Sequence, residues 1–190
     1  MANMASVAYA IEGSGDSLEN IEVAIHYGLR DKEHWTEWTA CKHLGFSDEE
    51  LEGKRLGGEI SDDVEINSDG VLKFWAEERW GLQDFEELLK QKYPDIKVYW
   101  QVEESGCDVY CTNDKEGKYF PDRFYADVCV NGQFESEYFV TEEAMFKWLS
   151  LTTHWKIESY EDAEAFEKSF VDTDAEDDNF ICIHKFEIED

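Results

Sequence analysis

The sequence predicts an α+β protein, an antiparallel sheet of five to eight strands with helices packed on one face. Three observations carry this expectation. Val71–Thr112 reads strand, helix, strand, strand and holds the densest hydrophobic patterning in the chain. Asn131-Gly132 sits between two alternating segments, a strong hairpin signal. Two amphipathic helical stripes follow that hairpin. The chain has 190 residues, 42% of them hydrophobic and 15% aromatic, so it can bury a core. It has only two prolines, Pro94 and Pro121, and no Ser/Gly-rich linker, which favours a single α+β domain over residues 1–190.

Taken in order, Ser6–Glu12 is β-rich and short, and the following GSGDS ends in a cap for a helix. Asp16 or Ser17 is suited to that cap, with Glu19 and Glu22 favourably placed in the first turns. Leu18, Ile21, Ile25 and Leu29 recur at helical spacing within Leu18–Leu29. His26 beside this stripe reads as a boundary residue rather than a base. His34–Glu65 is the least legible part, an aromatic segment followed by a short capped helix and a glycine-rich turn. Asp69-Gly70 marks a turn into the strand Val71–Glu77, with Leu72, Phe74 and Ala76 facing one way. Trp80-Gly81 ends it. Leu82–Tyr93 is the clearest helix, with Leu82, Phe85, Leu88 and Leu89 on one face and Pro94 closing it. Ile96–Glu103 is a strand, and Ser105-Gly106 turns into CDVYCT.

Asn113–Lys118 reads as a loop, and Arg123–Val130 and Gln133–Val140 form the hairpin about Asn131-Gly132. Thr141 caps a helix running to Leu151, with Ala144, Met145, Trp148 and Leu149 as its apolar face. Ser159–Phe170 is a second helix, with Tyr160, Ala163, Phe166 and Phe170 on one side. Asp172–Asn179 is an acidic loop, and Phe180–Ile188 alternates as a final strand.

Charge is the largest departure from an average composition. Forty-six acidic side chains face seventeen basic ones, a net charge of −29. That field repels nucleic-acid phosphates, so no direct nucleic-acid binding is expected, and it attracts a basic protein partner. The cysteines Cys41, Cys107, Cys111, Cys129 and Cys182 form no disulfide framework and read as reduced, mostly buried thiols of a reducing compartment. Cys107 and Cys111 would share a strand face at their even spacing. MANMASVAYAIEG has no basic n-region or long apolar core, and no run approaches a bilayer span, so a soluble, cytoplasmic protein without membrane contact is expected.

Motifs for chemistry are sparse. Glu37 and Cys41 share a helical face with His34 beside them, and His43 is near, which invites a metal reading. An aromatic cluster on Trp35 and Trp38 with solvated polar neighbours is the preferred account. GKRLGG lacks phosphate-loop spacing. An EF-hand beginning at Asp172 would need glycine and glutamate where Asp177 and Ile183 stand. No nucleophile elbow, zinc-protease helix or P-loop occurs, so no catalytic, cofactor-binding or metal residue is assigned and a non-enzyme is favoured.

The N-terminal MANMASVAYAIEG, the strand LKFWAEERW, the helix and strand DFEELLKQKYPDIKVYW and the turn EESGCDVY resemble, in that order, Api92/YubB-like proteins. There a start like MxNxxxNxLxVxG leads to a strand ending in tryptophan, then a helix with a YPDL exit and a YEEPGxGF-like turn. The resemblance covers about residues 1–115 and rests on hydrophobic pattern plus Trp80, Tyr93-Pro94-Asp95 and Glu103–Gly106. Gly81 and Leu82 stand where that group commonly has proline after tryptophan. The resemblance implies a ferredoxin-like portion over 1–115, of the kind found in proteins of plasmids and other mobile elements, with residues 116–190 as an extension. It supplies no catalytic residues and no cofactor.

Two functions follow. The first is a non-enzymatic interaction module whose acidic surface docks on a basic protein, with helical carboxylates at i, i+3 and i+4 able to mimic nucleic-acid charge. The second is a small-ligand binder or enzyme with an aromatic-lined pocket of Trp75, Trp80, Tyr99 and Trp100 and carboxylates as acid and base. Oligomeric state is not legible.

Overall fold

A computed structural model describes residues 3–170 and 179–189. The chain divides into two compact units, residues 1–115 with 189–190, and residues 116–188. The fold is mixed α and β, and its strands form two sheets.

The first unit opens with strand Met4–Glu12 (β1), helix Gly15–Gly28 (α1), helix Thr36–His43 (α2) and the single-turn helix Asp48–Leu51 (α3). Short strands Gly58–Ile60 (β2) and Glu65–Ile66 (β3) precede the long strand Leu72–Arg79 (β4). Helix Phe85–Lys92 (α4), strand Lys97–Glu104 (β5) and strand Val109–Thr112 (β6) complete it. The strands run in the order β6-β5-β1-β4-β2, and β3 also pairs with β4. All of these pairs are antiparallel.

Alternation decides what each strand buries. Inward residues of β4 and β1 lie side by side through the pairs Ile11–Leu72, Tyr9–Phe74 and Val7–Ala76. These, with Val98, Trp100 and Val102 of β5, pack against Leu18, Ile21 and Ile25 of α1, Ala40 and Cys41 of α2, and Phe85, Leu88 and Leu89 of α4. The helices α1 and α2 meet closely because Gly28 has no side chain: a Cβ there would lie 2.5 Å from the Thr36 carbonyl oxygen.

The second unit contains strand Phe124–Val130 (β7), strand Gln133–Phe139 (β8), helix Glu142–Thr153 (α5), helix Tyr160–Lys168 (α6) and strand Phe180–Lys185 (β9), then the two-residue strand Glu187–Ile188. The strand order is β8-β7-β9, antiparallel throughout. Asn131 (φ +51°) and Gly132 (φ +76°) make the left-handed two-residue turn that the Asn-Gly pair demands. Phe124, Ala126 and Val128 of β7 form a core with Met145, Phe146 and Leu149 of α5 and Ala163 and Phe166 of α6.

Several expectations are corrected. Ser14, rather than Asp16 or Ser17, caps α1, accepting from the Ser17 backbone N–H at 3.3 Å. The Ser17 hydroxyl is occupied elsewhere, donating to Asp95 at 3.0 Å. The helix expected from Leu82 begins at Phe85, because Trp80 and Gly81 both take left-handed conformations just before it. Cys107 does not share a strand with Cys111; it lies in a single 3-10 turn, Ser105–Cys107, and is exposed. Cys182 is exposed too, while Cys41, Cys111 and Cys129 are buried, and all are free thiols. On α5 Phe146 is buried and Ala144 is exposed, so the apolar face is rotated from the expected one. The C-terminal hairpin belongs to a second sheet rather than extending the first. The acidic run at residues 172–178 lies outside the described residues.

Candidate functional site

The interior of the first unit holds an acid cluster. Glu78 follows Leu72, Phe74 and Ala76 on the inward side of β4 and is fully buried, as is Glu37 of α2. Tyr9 of β1 donates its phenolic proton to Glu78 Oε1 at 2.5 Å, and the Gln83 backbone N–H donates to Glu78 Oε2 at 2.6 Å. Glu37 Oε2 accepts the Gly58 backbone N–H at 3.0 Å, whereas Glu37 Oε1 is buried without a donor. The two carboxyls lie within hydrogen-bonding reach of each other.

Burial raises both carboxyls, and the neighbouring Glu78 charge pushes Glu37 well above the usual range. Glu78 accepts two hydrogen bonds, from Tyr9 and Gln83, and Glu37 one, from Gly58. Both carboxyls therefore hold their protons more tightly than a free glutamate does, Glu37 the more so because the charge of Glu78 lies beside it. Burial, with the negative charge of Glu78, also lifts Tyr9 well above its usual range. Burial and then Glu37 push the Cys41 thiol up to about 12, so it is an unreactive thiol.

A groove adjoins this cluster. Its volume is about 370 Å³, and Trp35, Arg55, Leu56, Gly57, Arg79, Trp80 and Gln83 line it. Arg79 follows Glu78 directly in the chain, and Gly57 precedes Gly58. Trp80 is 60% exposed with φ +65°, a conformation costing a bulky side chain about 1–3 kcal/mol. Its backbone N–H donates to the Asn3 carbonyl at 3.1 Å. Gln83 Nε2 donates to the carbonyl oxygens of Arg79 and, at 2.9 Å, Gly81, the residues on either side of Trp80. Gln83 Oε1 accepts from the Gly57 N–H at 3.2 Å. The Arg79 guanidinium lies 5.6 Å from the Trp35 ring centre, and Arg55 lies 3.5 Å from Asp84.

The second unit carries a groove of different character, about 590 Å³. Phe146, Leu151 and Ile157 give it an apolar lining, and Glu142, Glu143 and Glu158 place three carboxylates on it, with Lys147 and Ser150 completing the wall. Leu151 is 66% exposed. The loop after α5 is fixed by Ser150, whose hydroxyl donates to the Ile157 carbonyl at 2.7 Å and accepts the Ile157 N–H at 2.9 Å. Tyr160 donates to Glu142 at 2.9 Å, and its ring meets Phe146 edge-on at 5.2 Å.

The residues singled out in the sequence are dispersed. Trp80 lines the first groove, Trp100 is buried in the core, Tyr99 is partly buried and Trp75 is exposed on the outward side of β4. Glu37 and Cys41 are buried together rather than solvated, so the preferred account of that segment is corrected. His34 and His43 stay outside, stacked on Trp38 at 4.7 Å and on Tyr27 at 3.9 Å. Among the described residues no group of His, Cys, Asp and Glu is placed to hold a metal, and no helix is long and apolar enough to cross a membrane. Glu78, Gln83, Arg55 and Arg79 went unmarked in the sequence. The alternation Leu72, Phe74, Ala76 points to Glu78 as the next inward residue. The chain matches no protein-family model, no curated protein and no solved structure.

Proposed function

We propose that this is a non-enzymatic interaction protein that docks on a basic protein partner. The observation that carries the reading is the groove of the second unit, where an apolar lining is edged by Glu142, Glu143 and Glu158. Such a groove suits an apolar side chain flanked by lysines or arginines, burying the apolar contact and pairing the charges at the rim. Glu161 and Glu164 of α6 continue the exposed carboxylates at helical spacing and support charge mimicry of a nucleic acid. The net charge of −29 speeds the approach of any basic partner. For residues 1–115 we infer a ferredoxin-like, Api92/YubB-like domain. The strand order β5-β1-β4-β2, with α1 and α4 as the crossover helices, supports it.

The test is binding to a basic DNA-binding protein by fluorescence anisotropy, with the charge-reversed variant E142K/E143K/E158K beside the native chain. Affinity should fall steeply with salt and at least tenfold on charge reversal, about 1.4 kcal/mol or more. Affinity indifferent to both overturns the reading. Replacing Leu151 by Ala, with the charges kept, tests the apolar contact separately and should weaken binding about tenfold or less.

A further inference from the structure

We propose that the groove of Trp35, Arg55, Arg79, Trp80 and Gln83 binds a nucleoside monophosphate, its planar base on Trp80 and its phosphate between Arg79 and Arg55. This site lies within the first unit and is independent of the docking groove.

The first argument is the conformation of Trp80. A residue at φ +65° is easily glycine, yet here it is a tryptophan with 60% of its surface in solvent. The indole adds nothing to the core, and the backbone is held in this state by the Asn3 carbonyl and both amide protons of Gln83. A strained backbone pinned from two sides, presenting an exposed aromatic face, is what a stacking platform requires.

The second argument is charge. In a chain of 46 acids and 17 bases, Arg79 forms no ion pair among the described residues and rests on the face of Trp35 instead. Arg55 reaches Asp84 at 3.5 Å, with more than half of its side chain exposed. Two guanidiniums, Arg55 with Asp84 near it and Arg79 unpaired among the described residues, lie beside two indoles on a strongly anionic molecule, and guanidinium is the side chain suited to forked recognition of phosphate.

The third argument is size and field. About 370 Å³ fits one nucleotide. Each additional phosphate of a polymer would meet the repulsion of a net −29 charge, so a mononucleotide is favoured over nucleic acid.

The test is calorimetric or NMR titration of the full chain with ribonucleoside monophosphates, alongside adenosine, ribose 5-phosphate and a single-stranded oligonucleotide. Adenosine monophosphate should bind about tenfold or more tightly than either half-ligand. Trp80→Gly keeps the turn, because glycine is at ease at this φ, and should abolish the ring contribution while the protein melts no lower than the native chain. Arg79→Gln should lose about tenfold in affinity for the nucleotide and little for adenosine. No saturable binding by any monophosphate, unchanged binding by the folded Trp80→Gly variant, or tighter binding of the oligonucleotide overturns the assignment.

Discussion

Gln83 donates its backbone N–H to Glu78 Oε2 at 2.6 Å, so the residue that pins the Trp80 turn also completes the buried acid cluster. One residue thus couples the only inward-facing acid of β4 to the exposed groove beside it.

Removing the Gln83 side chain should show this coupling. Gln83→Ala strips partners from the Gly57 N–H and from the Arg79 and Gly81 carbonyls. The expected loss is about 2–3 kcal/mol in urea unfolding, with increased Trp80 mobility in indole NMR relaxation.

The acid pair sets a pH dependence whose sign follows from its raised values. Glu37 and Glu78 bind protons more tightly folded than unfolded, so their stabilising contribution is full below the ordinary value of 4.5 and is lost as pH rises through the raised folded values. Each proton that the fold retains should cost about 1.4 kcal/mol of stability per pH unit between that value and the raised folded ones. Glu37→Gln removes one titrating proton at that position, and should flatten the decline in melts recorded from the ordinary carboxylate range upward.

Gly58 is constrained by proximity. An added Cβ would lie 2.3 Å from the Glu37 carboxyl, which itself is fully buried and cannot swing away. Gly58→Ala should cost about 2 kcal/mol or more by denaturant unfolding. Gly57→Ala, whose Cβ meets only the flexible Arg79 stem at 3.4 Å, should cost less than about 1 kcal/mol.

Self-repulsion should make the fold salt-dependent. Raising ionic strength from about 0.01 M to about 1 M shortens the screening length from about 30 Å to about 3 Å. With a net charge of −29 the melting temperature should rise over that range, opposite to a fold held by surface ion pairs.

The sequence was most legible where one physical signal dominated. Strand alternation placed Leu72, Phe74 and Ala76 inward, and Thr141 capped α5 as expected, accepting the Ala144 N–H at 3.2 Å. The Asn131-Gly132 hairpin was equally clear, because no other residue pair enters that turn so easily. Residues 34–65 were opaque since their elements are short and stabilised by tertiary contacts, with β2 only three residues long. The acid cluster stayed hidden for a compositional reason. Among 46 acids, Glu37 and Glu78 look like all the others until the fold removes them from water.

The alternation of β4 has a consequence for how faithfully the chain assembles. Slipping this strand by one position against β1 would turn Lys73, Trp75, Glu77 and Arg79 inward and send Leu72, Phe74 and Ala76 out. Three full charges would then enter the interior without the partners that Glu78 finds in Tyr9, Gln83 and Glu37. The hydrogen-bonded acid inside and the cations outside act together as a proofreading device, making the wrong pairing far costlier than the right one.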